Sequence, residues 1–97
     1  MLGNITKIKD KTIISNTLGD IAGTLQVIAQ VYKDKNDIDS ALKIYKQALR
    51  IRNLQPQSNK NSIAMLSDYI GMLYFQKGDY EDALKVFNTS LDLRRKI

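Results

Sequence analysis

Apolar residues recur along this chain at intervals of three and four positions, which is the spacing of one face of an α-helix. In the first half, the apolar residues with this spacing are Leu25, Ile28, Ala29, Tyr32, Ala41, Leu42, Tyr45, Ala48 and Leu49. Polar residues interrupt the pattern around residues 35–37, 53–61 and 77–79. The pattern predicts an all-α chain with helices at about residues 15–35, 38–54, 60–77 and 80–96.

The helical pattern is present twice, because the sequence matches itself after a shift of 42 positions. Residues 28–32, Ile-Ala-Gln-Val-Tyr, align with residues 70–74, Ile-Gly-Met-Leu-Tyr. Residues 41–45, Ala-Leu-Lys-Ile-Tyr, align with residues 83–87, Ala-Leu-Lys-Val-Phe. Each copy contains two predicted helices, so we expect one domain at residues 18–97, with tandem helix-turn-helix repeats at about residues 18–54 and 60–96.

Turn-forming residues separate the predicted helices at equivalent places in the two copies. Asn36 and Gly78 both tolerate a left-handed backbone, which commonly ends a helix. Asp37 and Asp79 follow them and are the predicted N-caps of the second helices. Residues 53–61 are polar and contain the only proline of the chain, Pro56, so this segment is the predicted loop between the repeats.

These residues resemble the tetratricopeptide repeat family. The matching residues are Ala29, Tyr32, Asn36, Asp37, Ile38, Ala41, Leu42, Tyr45 and Ala48 in the first copy, and Gly71, Tyr74, Gly78, Asp79, Tyr80, Ala83, Leu84 and Phe87 in the second. The period of 42 residues, longer than the usual length of about 34, is similar to that of kinesin-light-chain-type repeats. The resemblance implies a right-handed α-solenoid that binds another polypeptide.

Residues 1–17 precede the two copies and are not explained by the repeat. Ile5 and Ile8 have helical spacing, and Lys7 and Lys9 lie between and beside them. The segment leaves two alternatives open, a short N-terminal helix or a flexible tail.

Composition argues against several classes of function. The chain has no cysteine and no histidine, so thiol nucleophiles, the usual zinc ligands and the commonest general base are missing. We therefore expect no enzymatic activity, no cofactor and no metal. The 15 basic residues are interleaved with 10 acidic ones, which is typical of a solvated surface and argues against nucleic-acid binding. No membrane segment and no secretory signal is visible, so a cytoplasmic protein is expected.

The family resemblance also implies a ligand surface, because the first helices of such repeats line a concave groove. The candidate residues for binding a peptide or protein are Gln26, Val27, Gln30 and Lys33 in the first copy, and Met65, Asp68, Tyr69, Met72 and Phe75 in the second. Methionine and aromatic side chains provide the adaptable contact area that suits such a groove. The alternative is that Met65, Met72 and Phe75 pack against the first repeat or a second copy of the chain.

A chain of two repeats also leaves helix faces without a neighbour, since about three units are usually needed for a stable array. The last predicted helix contains Leu84, Phe87 and Leu91, whose outer face requires a covering surface. The alternative function is therefore a self-associating scaffold, either a homo-oligomer or one part of a longer array of repeats.

Overall fold

A computed structural model describes residues 2–55 and 59–95, with side chains described from residue 11 onwards. Within those ranges the chain forms four α-helices and no strand: α1 (Leu2–Asp34), α2 (Ile38–Leu54), α3 (Lys60–Lys77) and α4 (Tyr80–Arg95). The predicted all-α fold of tandem helical repeats is confirmed. The bounds of α2 and α3 and the start of α4 are those expected from the sequence.

Helix α1 is longer than predicted. It begins at Leu2 and runs without a break through residues 2–17 into the first repeat, so the predicted start near residue 15 was wrong. Residues 2–17 contain no proline, and a helix already nucleated by the repeat extends at little further cost. No helix among the described residues, α1 included, combines the length and hydropathy needed to cross a bilayer.

The two repeats have the same turn geometry. Asn36 has a φ of 65° and Gly78 a φ of 94°, so both adopt the left-handed backbone that ends the first helix of each repeat. The backbone N–H of Asp37 donates to the carbonyl of Tyr32, and that of Asp79 to the carbonyl of Tyr74, each at 2.8 Å. The predicted cap at Asp37 is also present, because its carboxylate accepts the backbone N–H of Ser40 at 3.2 Å.

The helices stack in chain order, so that α1 packs on α2, α2 on α3 and α3 on α4. Fully buried alanines allow the helices within each repeat to approach closely, and they are Ala22, Ala29, Ala41, Ala48 and Ala64. The two repeats are joined through the apolar contact between α2 and α3, whose buried residues are Leu42, Tyr45, Leu66, Ile70 and Leu73. This contact is the core of the molecule.

Polar contacts lie at the rim of the α2–α3 contact. The Nζ atom of Lys77 lies 2.8 Å from the Oδ1 atom of Asp39. The Nζ atom of Lys46 lies 4.9 Å from the centre of the Tyr74 ring, which is close enough for a cation–π interaction. Both contacts join the second repeat to the first at the exposed rim of the apolar core.

Candidate functional site

An apolar cleft of about 340 Å³ opens where all four helices contribute side chains. Its lining residues are Lys33 of α1, Tyr45 of α2, Tyr69, Met72, Leu73, Phe75 and Gln76 of α3, and Phe87 of α4. Most of the lining surface is carbon, and Lys33 is the one charged side chain in this set. We refer to this feature as the α3 cleft.

Two tyrosines shape one wall of the α3 cleft. Tyr45 is buried in the core, and its ring centre lies 5.6 Å from that of the more exposed Tyr69. Burial raises the pKa of Tyr45 above its usual value, and the nearby Tyr69 and Asp34 act in the same direction. Tyr45 therefore stays neutral and keeps this wall apolar over the physiological pH range.

Four of the nine residues predicted to bind a ligand line the α3 cleft, namely Lys33, Tyr69, Met72 and Phe75. Met72 is 57% exposed and Phe75 is 61% exposed, so neither side chain is buried against the first repeat. Met65 lies earlier on α3, is also exposed and does not line the cleft.

Two further predicted residues are engaged in hydrogen bonds within their own repeats. Gln26 of α1 accepts a hydrogen bond from Arg52 of α2, from Nη2 to Oε1 at 3.1 Å. The equivalent residues of the second repeat form the same contact, since Arg94 of α4 pairs with Asp68 of α3. We call each of these contacts a clasp. Both clasps join the second helix of a repeat to its first, so Gln26 and Asp68 each have a partner within the chain.

The remaining predicted residues, Val27 and Gln30, are exposed on α1 and lie outside the cleft lining. They stand 42 positions before Tyr69 and Met72 in the sequence, and thus occupy the same face of the first repeat. The structure therefore brings Lys33, Tyr69, Met72 and Phe75 together around a cleft. It leaves Val27, Gln30 and Met65 exposed outside the cleft and pairs Gln26 and Asp68 with arginines.

A neighbouring cleft lies at the outer end of the second repeat, where the sequence indicated an uncovered face with Leu84 and Phe87 but not a cleft. It measures about 430 Å³ and is lined by Phe75, Tyr80, Ala83, Leu84 and Phe87. The rings of Phe75 and Tyr80 meet edge to face with their centres 5.4 Å apart. Phe75 and Phe87 line both clefts, so the apolar surface is continuous from the α3 cleft to α4.

The described residues that line the α3 cleft provide apolar surface and one cationic side chain, so the site can offer a ligand apolar contacts and one charge interaction. Among residues 2–55 and 59–95, no three acidic side chains converge to hold a metal ion. The Lys33 ammonium at the margin provides one charged group that would favour an acidic neighbour on a ligand.

Comparison with known proteins agrees with the repeat structure. Residues 22–53 match a family model described as tetratricopeptide repeat, and residues 64–97 match a second model with the same description. The two matches start 42 residues apart, at residues 22 and 64, and together they span more than half of the chain. No curated protein matches the sequence.

Proposed function

The chain belongs to the tetratricopeptide repeat family, and from this premise we propose that it binds a segment of another polypeptide in the α3 cleft. Tetratricopeptide repeats are in general protein–protein interaction modules. The proposed contact residues are Lys33, Tyr69, Met72 and Phe75 in the cleft, with Val27, Gln30 and Met65 contacting flanking parts of the ligand on the same concave face. We also propose that the two repeats are of the kinesin-light-chain type, because their period of 42 residues is similar.

The observation that carries the proposal is the exposure of Met72 and Phe75 beside a formed cleft. Leaving a large apolar side chain in water forgoes about 1.5–3 kcal/mol of burial, so adjacent exposed side chains of this kind mark an interaction surface. Both residues lie on α3, which is held between α2 and α4, so the surface is presented on a rigid element. A rigid surface binds with little loss of conformational entropy.

The cleft also indicates the chemistry of its ligand. A volume of about 340 Å³ is at the small end for ligand pockets, and suits one or two large apolar side chains of a peptide better than an extended cofactor. Lys33 at the margin favours an acidic residue next to those side chains. We therefore propose a ligand motif with an aromatic or aliphatic anchor followed or preceded by Asp or Glu.

A displayed library of random linear peptides tests the proposal, because it samples many ligand sequences at once. We expect selection to enrich peptides with a large apolar residue next to an acidic one. Met72→Ala should weaken binding of the enriched peptides about tenfold or more, which corresponds to roughly 1.4 kcal/mol. The binding constant is measured by calorimetry or fluorescence anisotropy.

The matched control is Leu54→Ala, because Leu54 is at least as exposed as Met72 and lies outside the cleft. This variant should bind the same peptides as tightly as the unmodified chain. Equal affinities for the unmodified chain and for Met72→Ala, with helical circular dichroism retained, would show that the α3 cleft is not the binding site.

A further inference from the structure

The residues that pack between α2 and α3 have equivalents on the two outer helices of the described stack, α1 and α4. The α3 side of the α2–α3 contact consists of Leu66, Ile70 and Leu73, all buried. A shift of 42 positions assigns Thr24, Ile28 and Val31 to the same places on α1, where Ile28 and Val31 are exposed. We name Thr24, Ile28, Val31 and Lys35 the α1 edge.

The α2 side of the contact is repeated on α4. Leu42 is 5% exposed under α3, whereas its equivalent Leu84 is 62% exposed. Tyr45 and Leu49 correspond to Phe87 and Leu91, and Leu91 is exposed as well. We name Glu81, Leu84, Phe87 and Leu91 the α4 edge. The two edges are thus the separate halves of an interface that the chain already forms once internally.

The charges at the rim of the internal contact are also reproduced. Lys77 on α3 pairs with Asp39 on α2 at 2.8 Å. The equivalent of Lys77 is Lys35 on the α1 edge, and the equivalent of Asp39 is Glu81 on the α4 edge. The opposite charges therefore stand on opposite edges, in the arrangement that would pair them if the edges met as α2 and α3 do.

We propose that the α4 edge of one copy of this chain packs on the α1 edge of a second copy, in the geometry of the internal α2–α3 contact. Such an interface joins two different surfaces, so it is heterologous and extends into a chain of copies. The occupant is a second copy because its opposite edge has the equivalents of the apolar residues and of the opposite charge that complement each other in the internal α2–α3 contact.

The proposed contact between copies has fewer apolar and cation–π interactions than the internal α2–α3 contact. Thr24 replaces the buried Leu66, and Asn88 replaces Lys46, whose ammonium lies over Tyr74 in the internal contact. We therefore expect a reversible association whose extent increases with protein concentration. The α4 edge shares Phe87 with the α3 cleft, whereas Ile28 and Leu84 do not line that cleft and can be changed to test association by itself.

One variant at each edge tests the polarity of the interface. Leu84→Glu blocks the α4 edge and leaves the α1 edge intact, while Ile28→Glu does the reverse. In analytical ultracentrifugation the unmodified chain should form species larger than a dimer as its concentration rises. Each variant alone should remain a monomer, and an equimolar mixture should form a dimer that grows no further.

Other outcomes overturn the proposal. A monomer at every concentration would show that copies do not stack, and continued self-association of either variant alone would show a symmetric interface through one edge. The control is Leu54→Glu, because Leu54 is exposed and belongs to neither edge, and this variant should associate like the unmodified chain. If Ile28→Glu lost its helical circular dichroism signal, Val31→Glu would block the same edge.

Discussion

Two isoleucines at equivalent positions allow the stacking of the repeats to be measured inside one chain. Ile70 on α3 is 2% exposed and packs in the α2–α3 core, whereas Ile28 on α1 is 40% exposed. They have the same residue type, the same place in the repeat and helical backbone on both sides. The difference between Ile70→Ala and Ile28→Ala in the free energy of unfolding therefore reports the contribution of the neighbouring repeat.

The expected magnitudes follow from burial. Replacing a buried isoleucine by alanine costs about 2–5 kcal/mol, because the lost transfer energy is increased by the cavity left behind. Ile28 opens to solvent, so its truncation leaves no closed cavity, and we expect a cost of about 1 kcal/mol for the part of the side chain that is covered. Ile70→Ala should thus be more destabilising than Ile28→Ala by about 1–4 kcal/mol.

Urea unfolding followed by far-UV circular dichroism measures both free energies. The experiment is performed at low protein concentration in the Leu84→Glu background, so that association of copies does not bury Ile28. If Ile70→Ala is unfolded without urea, Ile70→Val and Ile28→Val provide a milder pair, with about 0.5–1.5 kcal/mol expected for Ile70. Equal costs at the two positions would refute the conclusion that α3 is stabilised by packing on α2.

Two other predictions concern single contacts. A Cβ atom on Gly71 would lie 2.7 Å from Cε1 of Phe87. Gly71→Ala would therefore cost about 1–3 kcal/mol in overpacking, against a gain of about 1 kcal/mol in helix propensity. We expect this variant to be as stable as the unmodified chain or less stable. In a Phe87→Leu background the same change should stabilise, and urea unfolding of the four chains measures the coupling. Because the pKa of Tyr45 is raised, the folded chain holds the phenol proton more tightly than the unfolded chain does. The resulting contribution to the free energy of unfolding is complete below about pH 10 and is lost as pH rises through the folded pKa. Tyr45→Phe should therefore flatten the fall in stability above about pH 10, and an unchanged slope would contradict this assignment.

Much of the fold could be predicted from the sequence because each local signal agreed with the next. Apolar spacing, the turn residues Asn36 and Gly78 and the cap at Asp37 all indicated the same helix ends, and the structure has those ends. The start of α1 could not be predicted in this way. Residues 2–17 have no counterpart in the second repeat, and continuation of an existing helix leaves no distinct mark in the apolar pattern.

The candidate site was less accessible to sequence reasoning, because it depends on which faces the packing leaves open. The apolar spacing included Tyr45, and the outer face of the last helix included Phe87, but neither pattern indicated that both residues line the α3 cleft. The clasps of Gln26 and Asp68 join residues on different helices, so apolar spacing along one helix gives no sign of them. One signal was present, since Gln26 with Arg52 and Asp68 with Arg94 are the same pair of positions in the two copies.

The most direct test of the ligand cleft uses the methionine methyl groups, because the chain has only three methionines, Met1, Met65 and Met72. Carbon-13 methyl NMR is recorded while a peptide selected from the displayed library is titrated, with the signal of Met72 assigned from Met72→Leu. We predict that the Met72 methyl resonance shifts with the binding curve and that the Met65 resonance, outside the cleft, shifts less. A bound peptide that leaves the Met72 resonance unchanged would contradict the assignment of the α3 cleft as the binding site.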